Sequence, residues 1–368
     1  MLNSVVGARI KARREELGFN QEVVARHLGF KDRQILSNIE TGERKVSADE
    51  LLRVTEVLAA PLEYFTDPFL LVGEGQFSWR QSGVAAESLN KYEQDAGRVI
   101  ALFRVLGAQL GKPQPLLRQT LKLSKASTFE ETTAAGERFA ETFGLGDKPA
   151  FRLAEVMAEE LGILVLMVDA IKGVSGAACR LPELDVVLIN RTEVAGRRHY
   201  DLAHELFHIL TWDLMPPERV EESKAAPHGR VEQLADNFAA ALLMPRVVLA
   251  PYGEWSDLAG KALVARLNEV AEVLGVTSSA LRWRLVNTGL LPKAAGQSFD
   301  EAMLRTNARK PKGSDLPPLF SKPFAQLVVE AVEAGRISVR RVAALLDLSI
   351  EEIEEKFAAL GVEFDAGV

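Results

Sequence analysis

Residues 198–208 read Arg-His-Tyr-Asp-Leu-Ala-His-Glu-Leu-Phe-His, and the rest of the chain is best read outward from them. Their apolar spacing predicts a helix from Arg197 to about Thr211. On such a helix His204 and His208 lie one turn apart on one face. Their ring nitrogens can meet one Zn2+ at about 2.0–2.1 Å. Glu205, beside the first histidine, can reach a water on that metal without ligating it. Leu202, Ala203, Leu206, Ile209 and Leu210 make the remaining faces apolar, as a buried helix requires. The chain has only five histidines, and His27 and His199 read as surface or packing residues, so the 204/208 pair is informative. Its single cysteine, Cys179, excludes an internal disulfide framework and any multi-cysteine zinc site. A zinc site here must therefore be of the His/carboxylate kind that catalytic centres use.

A third ligand is expected downstream. Glu232 stands near the start of the next predicted helix, roughly Val231 to Leu243, with Glu221, Glu222 and His228 as rivals. Asp236, one turn further on the same face, can hydrogen-bond the free nitrogen of a zinc-bound histidine. His228, just before that helix, is either an oxyanion stabiliser or an exposed loop histidine. Zinc in such a site lowers the pKa of its water toward about 7 and polarises a carbonyl. Glu205 is then placed to take the water's proton and return it to a leaving amine. A strand within Gly176–Asn190 can hold a peptide by strand addition.

Around this centre the pattern predicts a mainly α chain with a small β-sheet, an α+β class. Ile163–Val168 is the best strand, Asp185–Asn190 the second, and Gly173–Leu181 a weaker third. Helices are expected over 86–111, 129–143 and 149–161. Residues 67–82, with Pro68, Gly73 and Gly75 and with Gly83 just beyond, read as a linker. Residues 292–323 are proline-rich and loop-like, and 324–361 read as three short helices with no assignable chemistry. The expected boundaries are 1–68, a helical linker region 69–128, a metal-site domain 129–290, and a linker with a small helical module over 291–368.

The first 66 residues predict a run of short helices. Gly18 stops the first, and Asn20, Asp32 and Ser47 are N-caps for the next three. Glu50 completes a capping box with Ser47. Helix–turn–helix pairs have this look.

At 47% hydrophobic and 26% charged, the chain is globular rather than disordered. The length, 368 residues, allows two or three domains. There is no apolar run long enough for a membrane span and no secretory leader, so a cytoplasmic, membrane-free protein is expected. The net charge of −7 averages a +1 segment over residues 1–60 and a −8 remainder, so it does not exclude nucleic acid.

The 198–208 stretch, followed by Glu-Gln-Leu-Ala-Asp-Asn-Phe-Ala-Ala-Ala-Leu-Leu-Met-Pro at 232–245, closely resembles the ImmA/IrrE family of zinc metallopeptidases over about residues 130–290. The resemblance implies a zincin-like domain, His204, His208 and Glu232 as metal ligands, and Glu205 as the catalytic residue. It implies cleavage of a protein substrate, a repressor in a stress or mobile-element switch. Many members carry Gly where Phe207 stands, so that side chain is expected to narrow the site. Residues 7–64 resemble an XRE-type, lambda-repressor-like helix-turn-helix, which implies double-stranded DNA as a partner and pairing as a homodimer. Lys31, Arg33, Gln34, Ser37 and Asn38 are then the expected base or phosphate contacts of the third helix. Gln21, Arg44 and Lys45 are the expected phosphate contacts. Two other readings remain. One is a non-proteolytic regulator that uses the zinc domain as a sensor or small-ligand pocket. The other is an antitoxin-like component of a paired operon.

Overall fold

The computed structural model describes residues 2–73, 75–81, 83–112, 118–216, 229–304 and 316–364. His228, Glu221 and Glu222 lie outside the described residues. The N-terminal unit is all helical: α1 (Leu2–Glu16), α2 (Gln21–His27), α3 (Arg33–Glu40), α4 (Ala48–Val57) and α5 (Leu62–Thr66). The expected caps are present. Asn20 accepts from the Val23 amide, Asp32 from that of Gln34, and Ser47 with Glu50 closes a capping box. Ile10, Val24, Leu28, Leu36, Leu58 and Phe65 fill its core. Gly7 lets α1 lie against α3, because a Cβ there would sit 2.0 Å from the Ile39 carbonyl oxygen. A buried ion pair ties the same helices: Arg14 Nε donates to Glu40 at 2.6 Å, and Gln21 Nε2 donates to the other Glu40 oxygen at 2.7 Å.

The larger unit is built on a four-stranded mixed sheet. Its members are β1 (Gln76–Gln81), β2 (Leu164–Val168), β3 (Val174–Arg180) and β4 (Asp185–Asn190), in the order β1-β3-β4-β2. β3 runs antiparallel to both neighbours, and β2 runs parallel to β4. Side chains alternate between faces along a strand. Val165, Ala178, Val187 and Ile189 enter one core, with α7 (Phe129–Thr142), α8 (Pro149–Glu159), α9 (Ala195–Thr211) and α10 (Arg230–Leu243). The short α11 (Arg246–Leu249), then α12 (Gly260–Leu274) and α13 (Ser278–Asn287), complete that side, followed by α14 (Lys293–Gly296). Leu164, Leu166, Ala177, Cys179, Val186 and Leu188 enter a second core on the opposite face. There they meet α6 (Ala86–Gln109), α15 (Lys322–Glu333), α16 (Val339–Leu346) and α17 (Ile350–Ala358).

The chain is thus mainly α with one small sheet, and the expected strands and major helices form. Two expectations need correction. The stretch read as a linker, 67–82, contains the edge strand β1. Its flanking glycines pointed to a loop, and six residues at a sheet edge are too few for alternation to outweigh them. The C-terminal helices are no separate module: Phe324, Val328, Val342, Ile353 and Phe357 share one core with α6 and the sheet. Both faces of the sheet are covered, so β2 and the middle of β4, Val186–Ile189, are apolar throughout. β3 occupies the second position despite its weak Val-Ser-Gly-Ala-Ala-Cys-Arg sequence. Small side chains are what allow helices to close on both of its faces. Among the described residues no single helix is long and apolar enough to cross a membrane.

α7 and α10 touch at a glycine. A Cβ on Gly136 would lie 2.6 Å from the Phe238 carbonyl oxygen and 2.9 Å from the Ala241 Cβ. Gly136→Ala is expected to cost about 1–3 kcal/mol through overpacking. The urea midpoint of the full chain should fall with its slope unchanged; an unmoved midpoint would show that the two helices separate freely.

Candidate metal centre

The site forms where α9 crosses α10. α9 lies against the sheet, and its far side packs on α10 through Phe207 and Phe238, whose ring centroids are 5.5 Å apart. Phe207 is fully buried in this core. It braces one helix on the other and does not line an open cleft, so the expected narrowing of the site does not arise from it. With the helices so placed, His204 and His208 face Glu232 of α10. His204 Nε2 lies 3.0 Å from a Glu232 oxygen and 3.2 Å from His208 Nε2, and His208 Nε2 lies 3.4 Å from the other Glu232 oxygen.

His204 Nδ1 is 2.9 Å from Asp236 Oδ1. A carboxylate on that side holds the proton on Nδ1 and leaves a lone pair on Nε2. The three donors therefore converge within 3.4 Å of one another, an arrangement that becomes favourable only when protons or a metal cation are shared between them. The separations suit a metal, because a tetrahedron with bonds of about 2.1 Å has edges of about 3.4 Å. These three residues are the one group among those described whose donor atoms cluster in this way.

Glu205 is 1% exposed, and neither of its carboxylate oxygens has a hydrogen-bond partner. Burial pushes its carboxyl above the usual range, with His208, His204 and Arg80 opposing. An unpartnered buried carboxylate is costly, and it is kept where a ligand or water is meant to meet it. Burial would also raise Glu232, but its contacts with His204 and His208 hold it well below the usual range. The residues present therefore fit a zinc ion, which His204, His208 and Glu232 would hold.

Two groups at this centre escaped the sequence reading. Asp201 sits one turn before His204, 1% exposed, and its spacing could have revealed it. Arg80, from β1, reaches both acids: its Nη1 is 3.0 Å from Asp201 Oδ1, without hydrogen-bond alignment, and its Nη2 is 3.7 Å from Asp236 Oδ1. Burial alone would lower the Arg80 pKa, but Asp201 and Asp236 outweigh it and raise it. Nothing near Arg80 in the sequence signals this. Tyr200 donates its hydroxyl to the Asp236 carbonyl at 2.9 Å and underlies the Arg80 guanidinium. Beside these groups lies a cavity of about 420 Å3, lined among others by Arg80, Asp201, Asp236, Thr277 and Trp283. In the range expected to hold a peptide strand, β4 is enclosed between β3 and β2, and the outer edge of β3 carries β1. Cys179 is fully buried, and His199 packs on Phe151 with Nδ1 2.7 Å from the Gly275 carbonyl oxygen.

In the N-terminal unit, Lys31, Arg33, Gln34 and Lys45 are exposed, whereas Ser37 and Asn38 are half-buried. Gln34 Nε2 donates to Asn38 Oδ1 at 2.8 Å. Arg44 forks onto Glu50 at 2.8 and 3.1 Å and holds that carboxyl down at about 2. Gln21 is engaged by Glu40.

Residues 156–286 match the IrrE N-terminal-like peptidase domain family, and residues 10–65 match the helix-turn-helix family. A curated relative from Rhodospirillum rubrum, "Uncharacterized transcriptional regulator in ATPase CF(0) region", is 38% identical over 60 residues, 16% of this chain. Those residues make up 55% of that relative, so the chain spans about half of its length. Among solved structures, the apo competence regulator ComR from Streptococcus vestibularis matches over 98% of this chain and all of its own, at 11% identity and a TM-score of 0.17. ComR from S. thermophilus, in complex with DNA and its signalling peptide ComS, matches over 97% of this chain and all of its own, at 10% identity and the same TM-score. The two family matches fall on the two units described above, and the chain accordingly joins an N-terminal helix-turn-helix domain to a domain of the IrrE-type peptidase family.

Proposed function

We propose that this protein is a DNA-binding transcription regulator whose second domain is a zinc metallo-endopeptidase. Its substrate is a partner protein, a repressor whose cleavage switches a stress-response or mobile-element operon. The observation that carries the reading is the convergence of His204, His208 and Glu232 beside a buried, unpartnered Glu205. Zinc bound there would activate a water and polarise the scissile carbonyl. Glu205 takes the proton from the attacking water and delivers it to the leaving amine. Asp236 orients His204, and Arg80 holds Asp236 and Asp201 in place. In the first domain α3 enters the major groove, with exposed Arg33 and Gln34 reading base edges and Lys31 and Lys45 meeting phosphates; paired half-sites call for a homodimer.

One observation favours a second reading, a regulator that senses through its zinc domain and does not cleave. His204, Glu205 and His208 are only 1, 1 and 3% exposed. The deciding experiment expresses the wild type and Glu205→Gln under stress and compares the new protein N-termini. The peptidase reading expects fragments in the wild type alone, the variant losing roughly 100- to 10,000-fold in rate while keeping its zinc. Identical fragment sets favour the sensor.

Two further outcomes are expected. Asp236→Asn should weaken zinc binding roughly 10- to 100-fold, measured by competition with a chelator, because His204 loses its orienting carboxylate. On DNA selected from a random pool by the wild type, Gln34→Ala should cost about 1–3 kcal/mol at one base position. Lys31→Ala should instead reduce the salt slope by about 1 at all sequences. Failure to retain any DNA at low salt would remove the DNA-binding half of the proposal.

A further inference from the structure

The strand β1 covers the outer edge of β3, beside the candidate centre. The inner side of β3 pairs with β4, and its outer side is the edge that β1 takes. At Gly176 this edge passes over the centre, since a Cβ there would lie 3.5 Å from Glu205 Cγ. The register partner of Gly176 on β1 is Arg80. The pairing is not imposed by a hairpin turn, because β1 comes from the segment between the two domains. Directly after Arg80 the register shifts at a bulge, and Gln81, the last residue of β1, pairs with Val174.

The two faces of β1 do different things. Phe77 and Trp79, stacked with centroids 5.2 Å apart, turn toward α6, where Trp79 meets Tyr92 and donates Nε1–H to Glu93 at 2.9 Å. Gln76 and Arg80 turn toward the centre. Gln76 accepts from Trp212 Nε1 at 3.2 Å, and the Arg80 guanidinium sits against Asp201 and Asp236. Those two acids need a cation. Without Arg80 the buried Asp201 keeps, among the described residues, an ion pair with the half-exposed Arg197 3.8 Å away, and a buried carboxylate stripped of its close partner is strongly unfavourable. A segment that displaces β1 must therefore replace both its backbone hydrogen bonds and its charge.

We infer that β1 is a resident stand-in for the substrate: the β3 edge from Gly176 to Arg180 is the peptide-docking edge, and it accepts extended segments carrying an arginine that sits between Asp201 and Asp236. This rests on the peptidase reading. The cavity of about 420 Å3 alongside gives such a segment room. Docking of the segment and release of β1 are then one event.

The test reads binding, so it stands even if cleavage is never found. Full-length, zinc-loaded protein is made with Glu205→Gln to prevent turnover, and then with Phe77→Ala and Trp79→Ala, which loosen β1 from α6 without touching its site-facing side. The probe is a fluorescent peptide copying residues 75–81, and a second copy with alanine at its arginine. The loosened protein should bind the arginine peptide roughly tenfold or more tighter than the unloosened protein does. The alanine copy should lose at least about tenfold, as truncation of a buried charge pair does. Equal binding of both peptides, or no binding to loosened protein whose 176–180 amides exchange faster, overturns the inference.

If that variant does not fold, a lock replaces it. Ser78 and Ala178 are register partners, so Ser78→Cys with Ala178→Cys, in a Cys179→Ala background, can be joined by a disulfide. Oxidation should slow zinc removal by phenanthroline roughly tenfold or more, and reductant should restore it, because closed β1 bars the site. Removal at the same rate in both forms overturns the inference.

Discussion

The contact on which the site turns is the 2.9 Å hydrogen bond between His204 and Asp236. It keeps a proton on Nδ1 of His204, and so turns Nε2 toward Glu232 and His208. It also sets a demand on the fold. α9 and α10 must be held at one spacing, because a shift of a few tenths of an ångström would separate the three donor atoms. The Phe207–Phe238 contact and the Gly136 notch in α7 supply that spacing from the core side. Arg80 supplies it from the sheet side by engaging Asp236 itself. The chemistry is thus held between an apolar layer beneath and a buried ionic layer above.

Much of this was legible in the sequence, for definite reasons. The two histidines and Glu205 lie on one helix, so a local repeat of four positions reveals them. The caps at Asn20, Asp32 and Ser47 are equally local, each a side chain acting within three residues of itself. Glu232 and Asp236 needed only the next amphipathic helix. Arg80 did not share this advantage. It sits more than a hundred residues before the acids it meets, on an edge strand bounded by glycines, and no spacing in the chain couples the two. Asp201 lay within reach, three positions before His204, yet its acid reads as a solvated helix residue until Arg80 and Arg197 are seen around it. The C-terminal helices were recognisable as helices, but their apolar faces do not name the surface they cover.

That surface is the second face of the sheet. Small side chains in β3, from Ser175 to Cys179, let helices approach from both sides, and the sheet becomes the common wall of two cores. One core carries the candidate metal ligands on α9 and α10. The other carries α6, against which β1 is pinned through Phe77 and Trp79. Packing on the C-terminal side is therefore mechanically linked to the strand that brings Arg80 to the ligands.

The connector from the N-terminal domain to β1 is short, and it is held at its start. Arg9 donates to the carbonyls of Asp67 and Leu70 at 2.8 and 2.6 Å, and Arg341 of α16 pairs with Asp67 at 2.9 Å. A strand tethered in this way is present at its own edge at an effective concentration of the order of millimolar or above. A free segment in dilute solution competes poorly against such a neighbour, whatever its sequence. A rival gains ground only when it too is confined nearby, as a protein bound to an adjacent stretch of the same DNA would be. If β1 stands in for a substrate, the tether makes local concentration, more than intrinsic affinity, decide which segment holds the β3 edge.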